Sequence, residues 1–173
     1  MDYLFELLKI IVPAGLAIYG MFIITVSFLK KEREIKWLDI KSKNSEQIIP
    51  LRIQAAERLC LLMERISPNN LVRRVNGPEM ISGELHGLLI QEIRNEFNHN
   101  LSQQVYFTDD TWETVRSAVE QTISLINNAY QQVGGEERSI ELTKKIFQLS
   151  METEQDSIAI ALGKIKDEIR VYY

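Results

Sequence analysis

From Ile10 to Leu29 the chain reads IIVPAGLAIYGMFIITVSFL, twenty residues without one formal charge. A helix of that length, rising about 1.5 Å per residue, matches a hydrocarbon core of about 30 Å. Pro13 falls in the first turns, where a missing N–H costs little. Tyr3 and Trp37 stand where interfacial anchors belong. The competing explanation, a buried core helix, seldom stays uncharged for so long. A cleaved leader is also disfavoured. Asp2 and Glu6 flank the start beside Lys9, and Lys30-Lys31 follows the apolar run in place of a small-residue cleavage site. Residues 1–41 thus read as an uncleaved transmembrane anchor with a juxtamembrane helix, meeting the lipid bilayer through residues 10–29. Lys30, Lys31, Arg33 and Lys36 outweigh Lys9, which predicts a short N-terminus outside and the C-terminal part in the cytoplasm. Glu32 and Glu34 dilute any anionic-lipid patch among those cations.

Beyond Trp37 the polar run KSKNSEQ predicts a loop, with a linker over residues 42–49. Then the period becomes helical. Ile53, Ala56, Leu59, Cys60, Met63 and Ile66 recur at three- and four-residue steps after Pro50, which suits a first turn. Ser67-Pro68 is a cap and first-turn pair for a short helix to Val75, closed by Asn76-Gly77-Pro78. A helix over residues 79–101 carries Ile81, Leu85, Leu88, Leu89, Ile93, Phe97 and Leu101 on one stripe. SQQVYFT follows as a packed turn, since Val105, Tyr106 and Phe107 have strand propensity but no alternating neighbours. Thr108 or Asp109 caps the next helix, with Trp112, Val115, Val119, Ile123, Ile126 and Tyr130 facing inward, and Gly134-Gly135 ends it. Residues 139–173 read as helix with one kink, carrying Ile140, Phe147, Met151, Ile158, Leu162, Ile165, Ile169 and Tyr172. The last five step 4-3-4-3, which suits intramolecular packing or, as the alternative, an oligomeric seam. The fold class predicted is all-α: one N-terminal transmembrane helix, then an antiparallel bundle of four main helices over residues 50–173. No internal repeat of 20–50 residues occurs.

Composition narrows the chemistry. An apolar share of 45% and a charged share of 25% over 173 residues suit a folded domain with an appendage. A net charge of −4 argues against nucleic acid as a partner. The single Cys60 excludes an internal disulfide and multi-cysteine metal sites, and its place in RLCLLM suits a buried side chain better than a nucleophile. No phosphate loop, dinucleotide fingerprint or HExxH motif is present, and no cofactor is predicted. Gly83 and Gly87 read as a helix-packing site, Arg73-Arg74 as a solvated basic spot, and Asp109-Asp110 as a capping cluster. Gly15 and Gly20 are five apart, where a close helix dimer wants four. Glu96 and His99 have the Glu-x-x-His spacing of di-iron carboxylate bundles, with Glu92 nearby. The second half is missing, because the only other histidine, His86, follows Gly83 at that spacing. His99 better suits a helix end.

QIIPLRIQAAERLCLLMERISPNNLVRRV, EIRNEFNHNLSQQVYFTDDTWE and ELTKKIF give the chain a resemblance to small membrane-anchored helical proteins of Bacteroidota, a family of unknown function. The resemblance covers most of the chain. It implies a bacterial inner membrane and an all-helical fold, with no activity or site residue. The leading expectation is a non-enzymatic, single-pass adaptor, scaffold or accessory subunit of a membrane complex. Its candidate partner contacts are Arg94, Asn95, His99, Asn100, Gln103, Gln104, Tyr106 and Phe107, where polar side chains adjoin aromatics. The alternatives are a membrane-tethered carboxylate metalloenzyme using Glu92, Glu96 and His99, and a self-assembling scaffold.

Overall fold

A computed structural model describes residues 2–153 and 155–171. Tyr172, assigned to the C-terminal stripe, lies outside the described residues, as does the end of the predicted last helix. The fold is all-α: α1 (Asp2–Ile66), α2 (Pro68–Val75), α3 (Ser82–Asn100), α4 (Asp109–Val133), α5 (Ser139–Glu152) and α6 (Ser157–Arg170), with a 3₁₀ helix over Leu101–Tyr106. The chain divides into two compact units, Met1–Ile48 and Ile49–Tyr173.

In the first unit, Pro13–Trp37 is a 25-residue stretch long and apolar enough to cross a membrane, and none of it is buried. The backbone of residues 42–49 is helical, which corrects the predicted loop. Lys, Glu and Gln are good helix formers, and neither Gly nor Pro interrupts the chain between Gly20 and Pro50. Pro50 therefore lies inside α1 instead of starting a helix, and it offers no N–H to the preceding turn.

The second unit packs around α4, which contacts α3, α5 and α6. Its core joins Leu59, Leu62, Met63 and Ile66 to Leu85, Leu89 and Ile93, with Val115, Ile126, Leu142, Ile146 and Ile165. Ile158, Ile165 and Ile169 are buried in this core and Leu162 packs against it, so the 4-3-4-3 seam is used inside the bundle. Two stripe assignments need correction. Ile140 is 40% exposed and Met151 87%, while Leu142 and Ile146 take the buried positions of α5. Leu88 and Leu101 likewise stand at the edge of the α3 stripe, exposed.

The last predicted helix is two helices. Asp156 accepts hydrogen bonds from the N–H groups of Ile158 (3.0 Å) and Ala159 (3.1 Å), capping α6 afresh. The start of α4 is held from α6: Glu168 accepts from the Thr108 N–H and hydroxyl, each at 2.9 Å. Thr108 in turn accepts from the Thr111 N–H, as a helix cap should.

The start of α3 is capped in a different way. Ile81 and Arg138 form an isolated antiparallel bridge. The Ser82 N–H donates to the Glu137 carbonyl (2.8 Å), Gly83 N–H to the Gly135 carbonyl (3.0 Å), and Ser139 N–H to the Met80 carbonyl (2.9 Å). Backbone carbonyls of the α4–α5 connection thus satisfy donors that a helix N-terminus leaves open. This bridge is why α3 begins at Ser82 and not near Glu79.

Candidate functional site

The eight predicted contact residues separate into two sets. Arg94, Asn95, His99 and Gln104 are exposed. Asn100, Gln103 and Phe107 are buried, at 4%, 9% and 8% exposure, and Tyr106 is half-buried against the core. The reason is the 3₁₀ helix. At three residues per turn, Asn100, Gln103 and Tyr106 fall on one face, and that face turns inward. Asn100 donates from its side-chain amide to the Glu96 carbonyl at 2.9 Å. The structure thus does not bring the eight residues onto one exposed surface: Asn100, Gln103 and Phe107 turn inward, while Arg94, Asn95, His99 and Gln104 stay outside. Phe97 and Trp112 stack beside this turn with ring centres 5.7 Å apart.

The carboxylates of the metal hypothesis point to arginines. Glu92 pairs with Arg74 at 2.6 Å and Glu96 with Arg65 at 2.8 Å, while His99 faces solvent. Arg74, read as solvated, is thus a cross-helix partner. Among the described residues, no group of three or more His, Cys, Asp or Glu is placed to hold a metal ion. Asp110 pairs with Lys164, so the Asp109-Asp110 cluster serves the start of α4 and its contact with α6. Cys60 is half-buried against the core. Burial pushes its thiol pKa up, Lys166 opposes this, and Glu64 and Glu57 add to it.

Two features escaped the sequence reading. The first surrounds His86, whose Nε2 lies 2.7 Å from the Asn127 side-chain oxygen. Its ring stacks on Tyr130 at 4.2 Å and 13°. A Cβ on Gly135 would stand 2.8 Å from the Tyr130 hydroxyl oxygen, and one on Gly83 would stand 3.4 Å from the Gly135 carbonyl oxygen. Gly83 is therefore a close-approach site, whereas Gly87 has open space around it. This cluster locks α3 to α4 and to the turn after it.

The second feature is a cleft of about 760 Å³ beside α4, bounded by the α1–α2 corner and the α5–α6 break. Asn and Gln amides and Ser and Thr hydroxyls form most of its lining, with Glu64, Glu152 and Asp156 as its charged members and Leu125, Leu149, Ile158 and Leu162 among the apolar ones. Among the described residues, no Lys, Arg, His or aromatic side chain lines it. One sign of it was visible: residues 121–135 carry no charge.

These observations define an all-helical protein with, among the described residues, one apolar helix long enough to cross a membrane, and a separately cored helical unit. A family model described as a family of unknown function (DUF7935) matches residues 2–172, and the chain belongs to that family. No curated protein and no solved structure matches the chain.

Proposed function

We propose that the protein is a single-pass protein of the bacterial inner membrane whose cytoplasmic helical bundle serves as a non-enzymatic adaptor or accessory subunit. The observation that carries this reading is the uncovered stretch Pro13–Trp37, which has no buried residue while the second unit has its own core. Exposed Leu16, Ile18, Phe22, Ile24 and Phe28 need an apolar surround, and a bilayer supplies one. The cations after Leu29 support a cytoplasmic location for residues 49–173. The likeness to membrane-anchored proteins of Bacteroidota supports the same location.

The test has two stages. Alkaline extraction of membranes should leave the chain in the pellet, and protease added outside spheroplasts should leave residues 49–173 intact. Release into the supernatant would remove the anchor, and digestion of the bundle would reverse the orientation. Cross-linked purification of the tagged chain should then recover a second protein in stoichiometric amount. Recovery of the chain alone would end the adaptor reading.

A further inference from the structure

The cleft beside α4 is set apart from the rest of the surface by what it lacks. A soluble helix usually keeps its outer face charged, yet α4 carries no charged residue from Gln121 to its end at Val133. Gln121, Ser124, Asn128, Gln131 and Gln132 are exposed there and line the cleft. Their neighbours are open because α5 stops at Glu152 and α6 restarts at Ser157 under a new cap. The volume, about 760 Å³, lies within the range of roughly 300–1,000 Å³ usual for ligand sites.

The lining selects a class of ligand. Among the described residues the lining has no Lys, Arg or His to counter a phosphate or carboxylate group and no aromatic ring to serve as a platform for a base or sugar. Side-chain amides carry a donor and an acceptor together, which matches the N–H and C=O that an extended peptide presents at each residue. Leu125, Leu149, Ile158 and Leu162 give an apolar base for one of its side chains. Glu64, Glu152 and Asp156 then favour positive charge on what enters.

We propose that this cleft binds an extended, net-cationic peptide segment of a partner protein. The proposal rests on the adaptor reading and names the chemistry of its partner.

Fluorescence anisotropy on the full chain in detergent micelles tests it, using labelled peptides of Ser, Gly and Leu that carry lysines, glutamates or neither. The lysine peptide should bind saturably and at least about tenfold tighter than the glutamate peptide. Asn128→Arg and Glu152→Arg, both at exposed positions, should each weaken it by about tenfold or more with an unchanged melting temperature. Glu79→Arg, the same charge reversal at an exposed position outside the cleft, should leave binding within about threefold. The proposal is overturned if the lysine peptide fails to bind, or if Glu79→Arg weakens it as much as Glu152→Arg does. A chain that binds the peptide yet purifies without a partner refutes the adaptor reading alone; one that purifies with a partner yet ignores the peptide refutes the cleft alone.

Discussion

Leu and Ile occupy opposite environments in the two compact units. Leu16, Ile18 and Ile24 are about two-thirds exposed, whereas Leu59, Leu85 and Ile126 are fully buried. The difference is one of pattern. Around Leu59, apolar positions recur at helical spacing between Arg58, Glu64 and Arg65, so one face has a destination inside the unit. Residues 10–29 are apolar on all sides, so no rotation of the helix hides them against one neighbour, and Pro13–Trp37 is long and apolar enough to cross a membrane. Burial on one face therefore organises a fold, while apolarity all round selects a medium.

The strongest way to break this comparison is to charge the uncovered helix. Ile18→Arg with Ile24→Arg should cost about 3 kcal/mol per arginine at the bilayer centre and shift the chain to the soluble or degraded fraction. Circular dichroism of any recovered protein should still show a cooperative melt, because neither residue belongs to the core. Retention of the double variant in carbonate-washed membranes would mean that the protein is held there by something other than this helix.

Within the second unit, burial predicts the next largest effect. Leu59→Ala removes a fully buried side chain and should destabilise by about 2–5 kcal/mol. Leu61→Ala, two residues on but 60% exposed, should change stability by less than about 0.5 kcal/mol. Equal losses in denaturant titration would show that the exposed face of α1 is covered in solution, and the contrast would fail.

The glycines sharpen the comparison at smaller scale. Gly135→Ala places a methyl group 2.8 Å from a Tyr130 hydroxyl that stacking on His86 holds in place. A loss of about 1–3 kcal/mol is expected. Gly87→Ala faces open space inside α3 and should gain about 0.5–1 kcal/mol from helix propensity. If both variants lowered the melting temperature alike, the close approach at Gly135 would have no energetic meaning.

What could be read in advance follows the same division. Helices with one apolar stripe, such as α4 with Val115, Val119 and Ile126, were legible because side-chain period alone defines them. Local capping chemistry was legible too, at Thr108 and at Gly134, whose φ of +90° suits glycine. Features made by distant backbone were not. Glu84 caps the Ile81 N–H locally, but the rest of the cap on α3 comes from carbonyls of Gly135 and Glu137, which no side-chain pattern encodes. The break after Glu152 depends on Asp156, one polar residue among many. The inward turn of Asn100 and Gln103 was not legible either, because SQQVYFT reads as a packed turn of no definite period, while the chain there forms a 3₁₀ helix of period three. The cleft arises where the α5–α6 break meets an uncharged face of α4, so neither segment alone announces it.

The smallest effect concerns Cys60, where the boundary between buried and exposed runs through one side chain. Its thiol pKa is raised first by burial, with Lys166 of α6 opposing and Glu64 and Glu57 of α1 reinforcing. An acid whose folded value is raised gives up its proton first in the unfolded chain. The stability it contributes is therefore complete below the unfolded thiol value, about pH 8.5, and is lost as pH rises from there through the folded value. Wild-type protein should lose melting temperature more steeply than Cys60→Ala between about pH 8 and 10, and its alkylation by iodoacetamide should be slower than in the denatured chain. Parallel slopes with equal alkylation rates would place Cys60 in water, and the face of α1 that carries it would then belong with Leu61 instead of with Leu59.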